Sequence, residues 1–231
     1  MQPRQVENRD EVLKQLRQEL AAAGGEYLEA ARSLSCKRYR AARKLEKLVE
    51  VELEELAMKG QFKVEVSGSD EPENWSDAGF DDVAYLIATN HGEPLRPAEQ
   101  IASGGELSRV MLALKVSVES GAGTRREHGR TLVFDEIDTG IGGRAAEAVG
   151  KKLRVLGQVH QVLCITHLPQ IAAFADHHYL IEKREVGGRS RTSIRRLESD
   201  ERQEEVARML SGARLTDTSR KLAEAMLSRR G

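Results

Sequence analysis

Two apolar runs in this sequence end in residues that can do acid–base and metal chemistry. The run at residues 131–135 ends in Asp135, which Glu136 follows. The run at residues 161–166 ends in Thr166, which His167 follows. Apolar runs of this length are typical of strands buried in a parallel sheet. Because ligands bind at the carboxyl edge of such a sheet, we expect the acid pair and the histidine to converge on one site.

The two neighbouring acids are expected to have different roles. Successive residues that leave a strand point in opposite directions, so Asp135 and Glu136 cannot do the same job. One carboxylate can hold a magnesium ion while the other orients and deprotonates an attacking water, which is the division that phosphoryl transfer to water requires. The alternative is that these acids are solvated loop residues or helix caps. The presence of His167 at the matching strand end weighs against that alternative.

The segment Ser103-Gly104-Gly105-Glu106 opens a predicted amphipathic helix. It fits a capping box, in which Ser103 caps the helix and Glu106 reaches back. Capping does not explain two consecutive glycines in a first helical turn, where each is costly unless the backbone approaches something closely. A helix N-terminus without side chains is an anion site, so we expect contact with phosphate. Whether Ser103 can cap and contact phosphate at once stays open.

A third nucleotide motif is missing, because the sequence contains no G-x-x-x-x-G-K-[ST] loop. Gly140-x-Gly142-x-x-Ala145 is a degenerate dinucleotide fingerprint, but the acids that precede it would repel a pyrophosphate. Asp138-Thr139-Gly140 matches the aspartic protease triplet, but that fold is all-β and here a helix follows. We interpret both matches as coincidences, so the sequence carries part of a nucleotide site.

The elements that position these residues follow from hydrophobic periodicity. A strand at 131–135, a helix at 143–156 and a strand at 161–166 form a βαβ unit, which predicts parallel strands and an α/β fold. A helical stripe runs from Leu107 to Val118. The other predicted elements are strands near 62–66 and 83–88, an antiparallel pair at 178–184 and 191–197 joined at Gly187-Gly188, and helices at 201–211 and 216–229.

The first 60 residues are predicted to be helical, with a period that indicates a coiled coil. The apolar positions are spaced 3-4-3-4-3-4, which is a seam that needs a partner helix; they are Leu13, Leu16, Leu20, Ala23, Tyr27, Ala30 and Leu34. Gly24-Gly25 interrupts the seam and predicts a break or bend, and a second helix from Ala41 is predicted to end near Gly60. Two interpretations stay open: two helices packed on a core, or the end of a coiled-coil arm. Either way we expect a domain boundary between residues 1–60 and 61–231.

Composition limits the classes of partner. The 231 residues carry a net charge of −1, so contact with DNA would need a local basic patch. Candidate patches are residues 37–40 with Arg43-Lys44, Arg125-Arg126, and residues 189–196, although most such runs are solvated faces. Two distant cysteines, the lack of a signal peptide and the lack of a membrane-spanning run predict a cytoplasmic protein with no membrane partner.

Together these motifs resemble a known family. Ser103-Gly104-Gly105-Glu106 resembles the signature motif of ABC-type ATPases, residues 132–136 resemble Walker B, and His167 resembles the switch histidine. The strings at 92–95, 102–115, 134–146 and 162–173 closely resemble a bacterial DNA repair member of the SMC-like group in that family. The resemblance covers about residues 10 to 230.

The resemblance implies an architecture in which this chain is the C-terminal portion. Residues 1–60 would be the returning arm of an antiparallel coiled coil, and residues 61–231 would be the C-terminal lobe of an ATPase head. The Walker A loop, the Q-loop and the outgoing arm would lie upstream. The implied cofactors are ATP and Mg²⁺, and the implied partners are the missing N-terminal lobe, DNA, and a second head in a homodimer.

The same resemblance implies roles for individual residues. Asp135 would ligate magnesium, Glu136 would be the general base, and His167 would contact the γ-phosphate. The signature segment Ser103, Gly104, Gly105 and Glu106 would bind the ATP held by a second head, so that two heads close around two nucleotides.

Three positions depart from the pattern of the wider family. Ala102 stands where leucine is usual, Glu106 stands where glutamine is usual, and residues 139–142 stand where transporters have a loop that ends in aspartate. The first two are unremarkable for SMC-like heads. The role of the third segment is left open.

Three hypotheses follow for function. The first is an ATP-driven DNA repair and recombination protein, in which ATP closes two heads and hydrolysis opens them. The second is a non-enzymatic interaction module, because the isolated chain cannot cradle a β-phosphate. The third is a transporter ATPase lobe, against which the heptad arm argues.

Overall fold

The chain mixes helices and strands, which confirms the predicted α/β class. A computed structural model describes residues 3–101, 103–121, 129–186, 189–212 and 214–228. The helices and strands are α1 (Pro3–Glu55), β1 (Gln61–Gly68), β2 (Asp81–Ala88), β3 (Arg96–Pro97), α2 (Gly104–Gly121), β4 (Thr131–Phe134), α3 (Gly143–Gly157), β5 (Gln161–Cys164), α4 (Pro169–Ala172), β6 (Tyr179–Val186), β7 (Arg189–Arg196), α5 (Ser199–Ser211) and α6 (Asp217–Ser228).

The chain divides into two compact units. One unit comprises Met1–Lys47 and Phe62–Leu86, and the other comprises Leu48–Gln61 and Ile87–Gly231. Helix α1 therefore contributes its first part to one unit and its end to the other. The predicted division at residue 60 into an arm and a head lobe stays a prediction.

The predicted break at Gly24-Gly25 is wrong, because α1 is one continuous helix of 53 residues. Packing in this unit accounts for the tolerance of glycine. The ring of Trp75 lies on the helix at Gly24, where an added Cβ would stand 3.3 Å from Trp75 Cη2. Trp75 also stacks on Tyr27 with ring centroids 4.4 Å apart. This contact offsets the cost of about 1 kcal/mol that glycine adds in a helix interior.

The predicted end of the helix near Gly60 is also wrong. Helix α1 ends at Glu55, and Ala57 adopts the left-handed conformation with φ +59°. Met58 N donates to Leu53 O at 2.9 Å, which is the 6→1 hydrogen bond of the Schellman motif at a helix C-terminus. Gly60 has a different use, since an added Cβ there would stand 2.5 Å from Ala88 O.

In the first unit, β1 packs one face on the helix as its alternation predicts. Phe62, Val64 and Val66 are buried while the residues between them are exposed. Tyr39 donates its hydroxyl to Val66 O at 2.7 Å, and Glu46 accepts the Val64 backbone N–H at 3.0 Å. The seam, in contrast, is open near the start of α1, where Leu20 is 73% exposed.

In the second unit, β4 and β5 pair in parallel with α3 between them in sequence, which confirms the predicted βαβ unit. Strands β6 and β7 pair antiparallel, as predicted, and the predicted turn at Gly187-Gly188 lies outside the described residues. Helices α5 and α6 pack through Val206, Ala207 and Ala223.

The end of α1 contacts α3 because Lys152 donates to both Glu52 and Glu55. Burial disfavours its charge, but the two carboxylates outweigh burial and raise the pKa of Lys152.

Candidate active site

The edge of the sheet where β4 and β5 end carries the candidate chemistry. The parallel register places Phe134 beside Cys164, and Ile165 N donates to Phe134 O at 3.0 Å. Asp135-Glu136 and Thr166-His167 therefore leave the sheet at the same edge. From here we call residues 135–139 the acidic loop.

Helix α2 is fastened to the acidic loop by side chains that the sequence reasoning did not single out. Ser108 donates its hydroxyl to Asp135 O at 2.8 Å. Arg109 is buried and donates to Thr139 O at 2.8 Å and to Ile137 O at 3.3 Å. Burial lowers the pKa of the Arg109 guanidinium, and the carboxylate of Glu106 opposes that shift. The sequence signals the contact between α2 and the acidic loop only by the position of Ser108 and Arg109, one helical turn after the glycine pair.

The two glycines of the signature segment lie against the acidic loop of the same chain. A Cβ on Gly104 would collide with Glu136 Oε2. A Cβ on Gly105 would stand 2.9 Å from both Glu136 O and Thr139 Cβ. This finding corrects the sequence argument, because a close approach within the chain accounts for the glycines without a phosphate. Phosphate contact at this segment stays a prediction.

The start of α2 is capped. Glu106 N donates to Ser103 Oγ at 3.4 Å, and Leu107 N donates to Ser103 O at 3.0 Å. The Ser103 hydroxyl is thus already used at the helix N-terminus, as the capping interpretation predicts. Ala102, where the family pattern has leucine, lies outside the described residues.

The acid pair adopts an unusual backbone. Glu136 has φ +56°, a left-handed conformation that non-glycine residues rarely take and that is enriched at functional sites. Asp135 Oδ1 accepts the Glu136 backbone N–H at 2.9 Å. The turn brings the Glu136 carboxylate against the first turn of α2, where the helix dipole favours a negative charge. Both acids are exposed, as reacting groups must be.

His167 is held by an acid that the sequence reasoning had set aside. Asp138 is buried, and its Oδ2 accepts the His167 backbone N–H at 2.8 Å and the Thr166 hydroxyl at 2.6 Å. The same oxygen lies 2.9 Å from Nδ1 of His167, whose side chain is 76% exposed. A carboxylate acceptor fixes the proton on Nδ1. Sequence reasoning treated Asp138 only as part of two coincidental motifs.

The structure therefore divides the predicted residues into two contact groups. Asp135 and Glu136 are bound to the signature helix, whereas His167 is bound to Asp138. The acidic loop belongs to both groups. Residues 139–142, whose role the sequence left open, begin with the carbonyl that receives Arg109.

Cys164 ends β5 beside this site. Burial, with the carboxylates of Asp138 and Asp135 adding to it, raises the pKa of the Cys164 thiol to about 12. A thiol that stays protonated at neutral pH is a poor nucleophile and a poor metal ligand. We therefore assign Cys164 to packing.

The fit of the site to magnesium depends on Asp135. Among the described residues, no group of three histidine, cysteine or acidic side chains is placed to enclose a metal ion. Magnesium needs only one or two carboxylates when phosphates and waters complete its octahedron. An exposed aspartate at a strand end fits that need when phosphate oxygens and waters supply the other ligands.

Comparison with known proteins decides the relationship. No family model matches the chain. Over 222 residues it is 39% identical to the DNA repair protein RecN of Halalkalibacterium halodurans, which covers 95% of this chain and 38% of the relative. The RecN of Treponema pallidum is 44% identical over 216 residues, 92% of this chain and 37% of that protein. This chain is RecN-like over almost its whole length.

The RecN-like chain spans about two fifths of the length of these curated relatives. It is also similar to a solved structure described as the Smc head domain with a coiled coil and joint, from Pyrococcus yayanosii. That match has a TM-score of 0.51 and 20% identity, and it covers 87% of this chain and 36% of the other. The predicted resemblance to an SMC-like head lobe is thereby confirmed at the level of the fold. No helix in the described part of the chain has both the length and the apolar character to cross a membrane.

Proposed function

We propose that this chain is part of an ATP-dependent DNA repair ATPase of the RecN kind, in which nucleotide binding joins two heads and hydrolysis separates them. The observation that carries the proposal is the acidic loop, which contacts helix α2 on one side and His167 on the other. Similarity to RecN proteins supports the DNA repair role.

Each residue has a role in this proposal that its environment supports. The Glu136 carboxylate is exposed and can therefore contact a water, and it serves as general base. Asp135 holds the magnesium ion, which neutralises phosphate charge when ATP is bound. His167 donates Nδ1–H to Asp138 and, as the doubly protonated imidazolium, also donates Nε2–H to a γ-phosphate oxygen.

The signature segment acts on a second nucleotide in this proposal. Ser103, Gly104, Gly105 and Glu106 bind the ATP of a partner head, using the N-terminal end of α2 as an anion site. Because Gly104 and Gly105 touch Glu136 and Thr139, a shift of the segment on binding would move the acidic loop. Engagement of the partner would thus be coupled to the position of the base.

Two exposed apolar surfaces support the need for further protein. Val133, Leu163 and Ile165 are each at least half exposed on β4 and the end of β5, although parallel sheets are normally covered on both faces. The seam near Leu20 is likewise open. We assign the sheet face to an N-terminal lobe and the seam to an outgoing coiled-coil arm.

The decisive experiment uses a longer protein that joins this chain to an upstream segment with a phosphate loop. Replacing Glu136 with Gln should leave ATP binding intact, slow hydrolysis by at least about a hundredfold, and accumulate ATP-bound dimers. Dimer formation is measured by light scattering with and without ATP, and the exposed Glu185→Gln is the matched control. Normal turnover by the Glu136 variant would remove it as the base.

A second candidate function concerns the chain alone. Its sequence has no G-x-x-x-x-G-K-[ST] loop, which favours a non-enzymatic interaction module when the chain is isolated. In that case calorimetry should detect no magnesium-dependent ATP binding to the 231-residue chain. Tight binding under those conditions would reject this candidate and leave the ATPase proposal untouched.

A further inference from the structure

Four basic side chains on α1 form a stripe that has no ion-pair partner among the described residues. They are Lys37, Arg40, Lys44 and Lys47, and we call them the basic stripe. Their 3-4-3 spacing places them on one face of the helix, over about 15 Å at 1.5 Å per residue. All four are exposed, and none makes an ion pair within the described part of the chain.

The arginines near the stripe differ from it, because each of them forms an ion pair. Arg32 pairs with Asp70 at 2.5 Å, and Arg38 pairs with Asp81 at 3.0 Å. Arg43 pairs with Glu46 at 2.8 Å. Arginines that flank the stripe thus stabilise this unit, whereas the stripe does not.

The stripe faces away from both apolar faces of the helix. At 100° per residue it lies about 170° from the centre of the face that Ser35 and Ala42 bury. It lies about 110° from the seam. A partner helix on the seam would therefore leave the stripe open to solvent.

The stripe is unfavourable for the helix itself. Lys37 and Arg40, Arg40 and Lys44, and Lys44 and Lys47 are like-charge neighbours at i,i+3 or i,i+4, which destabilises a helix. No acid stands three or four residues from Lys37, Arg40 or Lys44 to relieve the repulsion. A surface of this kind is relieved by an external polyanion.

We propose that the basic stripe is a docking surface for the phosphate backbone of double-stranded DNA. Duplex DNA carries one negative charge per about 1.7 Å of axis, so one short helical face can meet several phosphates. None of the four stripe residues is aromatic, and the neighbouring Tyr39 has its hydroxyl bonded to Val66 O, which disfavours stacking of unpaired bases. Ser33, Cys36 and Ala41, which border the stripe, are small, whereas a membrane-binding helix carries several large apolar groups beside its cations.

This inference rests on the proposed role in DNA repair, but it is tested without nucleotide. The 231-residue chain is titrated against a fluorescent 30-base-pair duplex at several salt concentrations, following anisotropy. Neutralising the stripe as K37Q/R40Q/K44Q/K47Q should weaken binding at least about tenfold at moderate salt and lower the salt slope by about three to four.

The matched control removes the same charge from exposed residues outside every candidate patch, as R9Q/K14Q/R17Q/K221Q, and should keep most of the affinity. Circular dichroism checks that both variants fold. Unchanged binding by the stripe variant, or an equal loss in the control, would overturn the proposal. Tighter stripe-dependent binding to single strands or to anionic vesicles would also overturn it, whereas failure of the ATP-dependent dimer test would not.

Discussion

Charged side chains in the acidic loop and on the basic stripe are used in opposite ways. Asp138 is buried and its Oδ2 gathers three donors, so its charge fixes the geometry of His167. Lys37 and Lys44 are exposed and have no ion-pair partner among the described residues. Buried charge with full hydrogen bonding specifies position, whereas exposed charge acts at a distance and is screened by salt. Substitutions in the two regions should therefore change different properties.

The largest effect on stability should come from Asp138. Asp138→Ala leaves the Thr166 hydroxyl and the His167 N–H without their acceptor, so we expect the free energy of unfolding to fall by about 3 kcal/mol. Asp138→Asn can keep an oxygen at the same place and should cost about 1 kcal/mol. Urea denaturation measures both, and ¹⁵N NMR of His167 should report the Nδ1–H tautomer in the native chain but not in the alanine variant. If Asp138→Ala were as stable as the native chain, the buried acid would not organise the site.

The next effect should come from Gly105. An added methyl group meets the backbone of Glu136 and the side chain of Thr139, so Gly105→Ala should destabilise the chain by about 2 kcal/mol. Gly157 at the end of α3 has nothing within 4 Å of an added Cβ, so Gly157→Ala should change stability by less than about 0.5 kcal/mol. Thermal unfolding of both variants checks this. Equal effects at the two glycines would contradict the close contact.

A smaller effect should depend on pH. Burial first, and then the charge of Arg202, lowers the pKa of His178, while Glu205 opposes the shift. The unfolded chain then binds a proton more readily than the folded one, so this stability is complete above the ordinary pKa of 6.5 and is lost as the pH falls below it. The slope is at most about 1.4 kcal/mol per pH unit. Urea denaturation between pH 5 and 8 should show this fall in the free energy of unfolding in the native chain and in His177→Gln. The fall should be absent in His178→Gln.

The smallest effect on stability should come from the basic stripe. Neutralising its four cations removes like-charge contacts on an exposed helix face, so the free energy of unfolding should change by less than about 0.5 kcal/mol, and upward. A loss of 2 kcal/mol or more in thermal unfolding would show that the stripe is structural and would erase the contrast with Asp138.

Sequence reasoning succeeded where a pattern is repeated over several residues. The alternation of β1 and the apolar runs of β4 and β5 predicted the strands, and the βαβ order predicted their parallel pairing. The short strings around Ser103 and Asp135 predicted the SMC-like resemblance that the comparisons confirm. These signals are local, so they survive without knowledge of tertiary contacts.

Sequence reasoning failed where one residue meets a distant one. Gly24 was expected to break α1, but Trp75 covers it from 51 positions away. Gly105 was explained by a phosphate, although its neighbours are Glu136 and Thr139. Asp138 was dismissed because nothing local shows that Thr166 and His167 donate to it. Partners of this kind are set by the folded chain and not by spacing.

The continuity of α1 has a mechanical consequence. A helix of 53 residues rises about 80 Å along its axis, and its C-terminal turns are the part that lies beside α3. Lys152, on the helix that follows the acidic loop, is bonded to Glu52 and Glu55 in the last turns of α1. A displacement of α3 would therefore reach α1 at its last turns, through the Lys152 amine.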